Sequence, residues 1–151
     1  MSDAAATGDM DAFDADVLIY AAVPDHVLGR RVLPLLRSDA PRVGSTVLLP
    51  ELLSKPLREG AHDQAGVLAE VLGRLTLLPC TEVVGELASV LGAKYKLKAA
   101  DAIHLATAVN AGAERFITNN ARDFGTSIAE IDIVRPAALP DADAPPGPGG
   151  I

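Results

Sequence analysis

The stretch Asp11-Ala12-Phe13-Asp14-Ala15-Asp16-Val17-Leu18-Ile19-Tyr20-Ala21-Ala22 reads as a short strand running straight into a helix. Asp11 to Asp14 is the strand. Asp16 is a candidate helix cap, Val17 to Ala22 is helical, and Pro24 closes the segment. Working outward, the same alternation continues. Asp25 is expected to cap a helix to about Arg37, with Leu28, Val32, Leu35 and Leu36 at helical spacing and Pro34 kinking it. Arg42 to Ser45 is a strand, and Thr46 opens a helix through Leu49, Leu52 and Leu53, with Pro50 in its first turn. Helices follow over His62–Arg74, Glu82–Lys96 and Asp101–Ala111, the last ended by Gly112. Leu75–Leu78 reads as a buried strand, and Arg115–Thr118 and Glu130–Val134 complete the set. Strands separated by helices predict βαβ units, hence an α/β fold with a parallel sheet and helices on both faces.

The chain has 151 residues, enough for one core. Hydrophobic residues make up 49% and charged residues 22%, which excludes a wholly disordered protein. Aromatic residues are 3% and Trp is absent, so Ala, Val, Leu and Ile must fill the core. The lone Cys80 excludes an internal disulfide and a cysteine zinc site, and points to a reducing cytoplasm. The net charge of −7 argues against nucleic acid at first. Its excess sits at the two ends, and residues 17–135 are neutral, so a local basic groove is compatible with it. No apolar run approaches the ~20 residues of a membrane helix, and the N-terminus has no signal-peptide pattern. Residues 1–9 are expected to be a loose extension, 10–135 the folded domain, and 136–151 a disordered Pro/Gly-rich tail.

In open parallel sheets the crevice lies at the carboxyl ends of the strands. Asp14 ends the first strand, and Glu51 follows the second. Asp101 opens the Ala-rich helix, and Asp123 lies just past Arg115–Thr118. Four carboxylates brought together repel unless a cation joins them, and oxygen-only donors select Mg²⁺ or Mn²⁺. Singly, each has a simpler reading. Asp101 is a helix cap, Asp123 a turn residue and Glu51 a solvated position. The apolar flanks Leu48, Leu49, Leu52 and Leu53 argue that Glu51 needs a partner or a metal.

Four segments go further. They are Phe13-Asp14-Ala15-Asp16-Val17-Leu18-Ile19-Tyr20-Ala21, Ser45-Thr46-Val47-Leu48-Leu49-Pro50-Glu51-Leu52-Leu53, Ala99-Ala100-Asp101-Ala102-Ile103-His104-Leu105-Ala106-Thr107-Ala108 and Phe116-Ile117-Thr118-Asn119-Asn120-Ala121-Arg122-Asp123-Phe124. In this order they resemble the PIN-domain ribonucleases, in particular the VapC-type toxins of toxin–antitoxin pairs. The resemblance implies a three-layer α/β/α sandwich and a Mg²⁺- or Mn²⁺-dependent endoribonuclease. It also implies a homodimer and inhibition by a small cognate antitoxin. On it, Asp14, Asp101 and Asp123 are the metal residues and Glu51 positions or deprotonates the attacking water. Thr118 and Asn120 support the cluster or the scissile phosphate. Ala15 and Asp16 stand where the family often has Thr or Ser followed by Asn or Ser. Asp16 is therefore either a stand-in that orients water or a helix cap.

Lys94, Lys96 and Lys98 read either as RNA contacts or as cations matching a helix end. Arg30, Arg31 and Arg37 read as a solvated face, a groove lining or an antitoxin contact. His104, one turn after Asp101, reads either as touching the site or, more simply, as a core or surface histidine. Two alternatives stand beside the nuclease. Asp14-Ala15-Asp16 resembles the Asp-x-Asp motif of haloacid-dehalogenase-type phosphatases, with Asp14 as nucleophile and Asp16 as general acid. A catalytically decayed PIN module that binds RNA or a partner is the other.

Overall fold

The computed structural model describes residues 10–141. Five short strands, β1 (Asp11–Phe13), β2 (Arg42–Ser45), β3 (Thr76–Leu78), β4 (Arg115–Ile117) and β5 (Asp132–Val134), form one parallel sheet in the order β3-β2-β1-β4-β5. Helices α1 (Ala15–Ala22) and α2 (Gly29–Arg37) connect β1 to β2, and α3 (Leu48–Arg58) and α4 (His62–Leu72) connect β2 to β3. Helices α5 (Glu82–Tyr95) and α6 (Ala99–Asn110) carry the chain back across to β4.

Alternation along the strands divides the interior in two. Ala12 and Phe116 face a core with Val84, Leu91, Ala102 and Leu105 from α5 and α6. Phe13 and Ile117, the next residues, face Val17, Leu18, Val32, Leu36, Leu48 and Leu52 from α1, α2 and α3. The result is the expected three-layer α/β/α sandwich. Register is pinned at one end by a charged pair: Asp11 and Arg115 are direct neighbours on β1 and β4, joined by two hydrogen bonds of 2.8 and 2.9 Å.

Several local expectations shift. Strand β3 is not buried: it is an edge strand, with Thr76 exposed and Leu77 and Leu78 half-buried. Helix α2 starts at Gly29 rather than after Asp25, which takes a positive φ of 60° in the turn before it. His26 Nδ1 accepts from the N–H groups of Leu28 and Gly29 at 3.1 Å each, so His26 serves the start of α2. The folded region also continues past the expected boundary at 135. Pro136–Ala138 forms a 3₁₀ turn and Leu139 is buried in the α1–α3 core. Arg30 bonds Asp141 at 2.8 and 3.1 Å, and Arg31 donates to the carbonyls of Ala137 and Leu139. Arg30 and Arg31 are therefore anchors for the strap 136–141, not a solvated face. The expected extension, 1–9, and the rest of the expected tail, 142–151, lie outside the described residues.

Gly29 lets α2 cross the end of α1: a Cβ there would lie 2.1 Å from the Tyr20 carbonyl oxygen. Gly29→Ala should therefore lose about 1–3 kcal/mol of unfolding free energy in urea, as overpacking does. Gly66→Ala, in α4 with open space around it, should gain about 0.5–1 kcal/mol. Equal effects would contradict the close approach.

Candidate active site

The chain leaves β1 toward β2 on one side and returns to β4 on the other, so the sheet's switch point lies between the carboxyl ends of β1 and β4. Asp14 follows β1 directly and is 5% exposed. It caps α1, its Oδ1 accepting from Ala15 N–H at 2.9 Å. Its Oδ2 accepts from the buried Thr118 hydroxyl at 2.8 Å, just past β4. The Asn120 N–H donates to Thr118 Oγ1 at 3.1 Å. Asn120 also donates from Nδ2 to Asp123 Oδ2 at 2.9 Å and accepts the Asp123 N–H at 3.2 Å, so Asp123 is both turn residue and cluster neighbour.

Asp16 is not the cap. It lies inside α1, and its carboxylate accepts from the Val17 N–H at 2.7 Å and the Asn119 N–H at 3.0 Å. It thus ties α1 to the loop after β4, which Asn119 Nδ2 reinforces by donating to Tyr20 Oη at 3.1 Å. Asp101 is not a cap either: Lys98 holds that place and Asp101 is the third residue of α6. Glu51, in the first turn of α3, has the partner its apolar flanks called for. His104 Nε2 lies 2.6 Å from Glu51 Oε1. The His104 side chain is 1% exposed. The sequence reading prefers a core or surface histidine to one that touches the site; His104 is buried and touches the site as well, though the partner Glu51 is not foreseen. The three-residue offset from Asp101 was the available signal, since it puts both on one helix face.

The acids act on one another. Burial raises the Asp14 carboxyl above its ordinary range and Glu51 raises it further, while the Thr118 hydroxyl, His104 and the Ala15 N–H pull it back. Asp16 is pushed up to about 6 by burial and by the charge of Asp14, with Asp101 adding a smaller push. Asp101 is pushed up to about 6 by burial, then by Asp14, Asp123 and Glu51, against His104. The four acids read from the sequence therefore converge electrostatically. They do not stand at coordination spacing: among the described residues no group of three or more His, Cys, Asp or Glu is close enough to hold a metal ion. Asp14 and Asp16 each accept from the residue that follows and from the segment past β4, and Asp123 is held by Asn120. The donor chemistry still fits a hard dication, because Asp14, Asp101 and Asp123 offer only oxygen.

The three lysines separate. Lys94 pairs with Glu130 at 2.9 Å and lies over the Tyr95 ring. Lys96 caps α5 with a left-handed backbone at φ 57°. Both line a groove with Arg122 and Asp123, which Lys98 does not.

The raised carboxyls have a thermodynamic consequence in metal-free protein. Asp16 and Asp101 titrate near 6 when folded and near an ordinary 3.8 when unfolded. Between those values the folded chain binds more protons, so stability is highest at low pH and falls as pH rises through about 6. These groups should therefore make metal-free protein melt higher at pH 5 than at pH 7. Asp101→Asn should raise the pH 7 Tm by a few degrees and flatten that slope. A variant that melts lower at pH 7 would contradict the repulsion.

The comparisons bear on this geometry. The search of curated proteins found no match. Among solved structures, a toxin–antitoxin complex from Klebsiella pneumoniae is 25% identical with a TM-score of 0.67, covering 83% of this chain and 97% of that one. DNA-bound VapBC from Salmonella typhimurium is 18% identical with a TM-score of 0.70, covering 85% and 98%. FitAcB from Neisseria gonorrhoeae is 22% identical with a TM-score of 0.61, covering 86% and 100%. The family model of the PIN domain matches residues 12–126, which runs from β1 to just beyond Asp123 and takes in all four acids. On that match the chain belongs to the PIN domain family.

Proposed function

We propose that the chain is a divalent-metal-dependent endoribonuclease and the toxin of a type II toxin–antitoxin pair. The observation that carries this is one set of acids, Asp14, Glu51, Asp101 and Asp123, whose charges act on one another beside the switch point of a PIN domain. The toxin role draws further support from solved structures of toxin–antitoxin complexes with the same fold.

Asp14, Asp101 and Asp123 would hold Mg²⁺ or Mn²⁺. Bound there, such an ion supplies a more acidic water and neutralises charge developing on the phosphate. Asp14 is fixed for this by two hydrogen bonds, from Ala15 N–H and Thr118 Oγ1–H. Asp123 is held by Asn120. Glu51 orients the attacking water or takes its proton. Water attack with the 3′-oxygen leaving yields a 5′-phosphate and a 3′-hydroxyl. The groove lined by Lys94, Lys96 and Arg122 would receive the RNA backbone next to Asp123, with Lys98 at the helix start nearby.

The antitoxin would take an apolar groove of about 440 Å³ between α1, α3 and α4, where Ile19, Val23, Leu52 and Val67 meet Glu51 and Asp63. Lys55 lines it as well, so its polar edge carries both signs and suits a mostly apolar segment with polar flanks. A homodimer in the cytoplasm completes the proposal. Exposed Val83 and Val90 on α5 are apolar surface for such contacts, and no described helix is long and apolar enough to cross a membrane.

The phosphatase reading falls with the family match, and Asp16, its general acid, is occupied with two backbone N–H groups.

Cleavage of a mixed pool of structured and single-stranded RNAs tests the proposal, run with Mg²⁺, Mn²⁺ or EDTA. Wild type should cut with either metal and not with EDTA. Asp101→Asn should lose about 100-fold or more. Mn²⁺ at about 100 times its Kd should stabilise wild type by about 2.7 kcal/mol and the variant far less. No cleavage together with no stabilisation by Mn²⁺ would overturn the nuclease and leave a decayed binding module.

A further inference from the structure

His104 is hard to explain as packing. Its side chain is 1% exposed, and its Nδ1 is buried with no hydrogen-bond partner. A buried polar atom left unpaired is unfavourable, and a leucine of similar volume would avoid it. What the imidazole alone supplies is the contact at its other nitrogen, where Nε2 lies 2.6 Å from Glu51 Oε1. An ionised carboxylate only accepts, so Nε2 carries the proton and donates. The contact joins α6 to α3 across 53 residues of sequence. It removes most of the freedom of a long side chain that is about one-third exposed. Oε1 is taken, and Oε2 has no partner among the described residues.

We propose that His104 is a positioning residue: its Nε2–H clamps Glu51 Oε1 and so presents Glu51 Oε2 to the water that attacks the phosphodiester. The role rests on the nuclease proposed above. His104 touches neither RNA nor metal in it; its one hydrogen bond is to Glu51, and its charge also bears on Asp14 and Asp101. The two helices it joins also carry different parts of the site. Asp101 lies one turn before His104 on α6, while Glu51 lies on α3. The clamp therefore sets the distance between the base and one of the metal residues.

The test uses one RNA that the wild-type chain cuts, with single-turnover rate and half-saturation measured separately in Mn²⁺. His104→Leu should lower the rate about 10- to 100-fold, the range for removing a supporting hydrogen bond in a metal site. Half-saturation should stay within about 2-fold in Mn²⁺ held far above its Kd, because His104 contacts no RNA. Its Tm should not fall, since the orphaned Nδ1 leaves with the ring. His104→Gln, which can place an N–H at similar reach, should recover most of the rate. In the pair His104→Leu with Glu51→Gln, the double variant should be no slower than Glu51→Gln alone. Three results overturn the proposal: a wild-type rate in His104→Leu, full additivity with Glu51→Gln, or equal loss in the Leu and Gln variants tracking a lower Tm. A wild-type chain that cuts no RNA is a different failure. It removes the nuclease itself, and the positioning role with it.

Discussion

Asp14 occupies the position on which the rest of the site depends. It is buried at the end of the central strand, it caps the first helix, and it accepts a hydrogen bond from Thr118 across the switch point. A buried carboxylate is unfavourable unless donors or a cation face it. Here two donors hold it in place without satisfying it, and its pKa remains raised. Around it, Asp16 and Asp101 are also raised, so the cluster opposes folding near neutral pH. The stabilising work falls to the two apolar cores on either side of the sheet.

That division explains which residues are held tightly. The Asn119–Asn120 segment has little apolar packing of its own. It is fixed instead by Asp16, Tyr20, Thr118 and Asp123. Tyr20 in turn stacks on His26 with ring centroids 4.5 Å apart, and His26 bonds the first N–H groups of α2. The site loop is thereby linked to the Gly29 crossing and to the strap at Asp141, through Arg30. Polar bonds position the loop, and apolar burial supplies the frame that makes those bonds definite.

Much of this was legible in the chain. Apolar residues at helical spacing between short β-prone runs identify the sandwich, and the acids at strand ends identify the crevice. What failed did so for local reasons. An Asp near a helix start looks the same at the cap and at the third position. The cap reading that Asp16 invites, and that Asp101 invites when taken singly, therefore fails: Asp14 and the Lys98 backbone hold those places. Leu75–Leu78 is apolar enough for a central strand, but position in a sheet is set by crossovers that four residues do not encode. The strap 136–141 reads as disordered because it opens the Pro/Gly-rich stretch 136–151. Its anchors, Arg30 and Arg31, are over a hundred residues away. The bond from His104 to Glu51 is long-range too, and its hints are the apolar flanks of Glu51 and the one-turn offset of His104 from Asp101.

The central claim is that these acids form one divalent-cation site. Its most direct test is a crystal of the protein soaked in Mn²⁺, with the ion located by anomalous scattering. The account predicts one strong peak at the carboxyl ends of β1 and β4, with oxygens of Asp14 and Asp101 at about 2.0–2.6 Å, the range for hard cations. Asp123 should move toward it, and Glu51 should stay on His104. Clear density for the acids with no peak between them, or a peak only elsewhere on the chain, would contradict it.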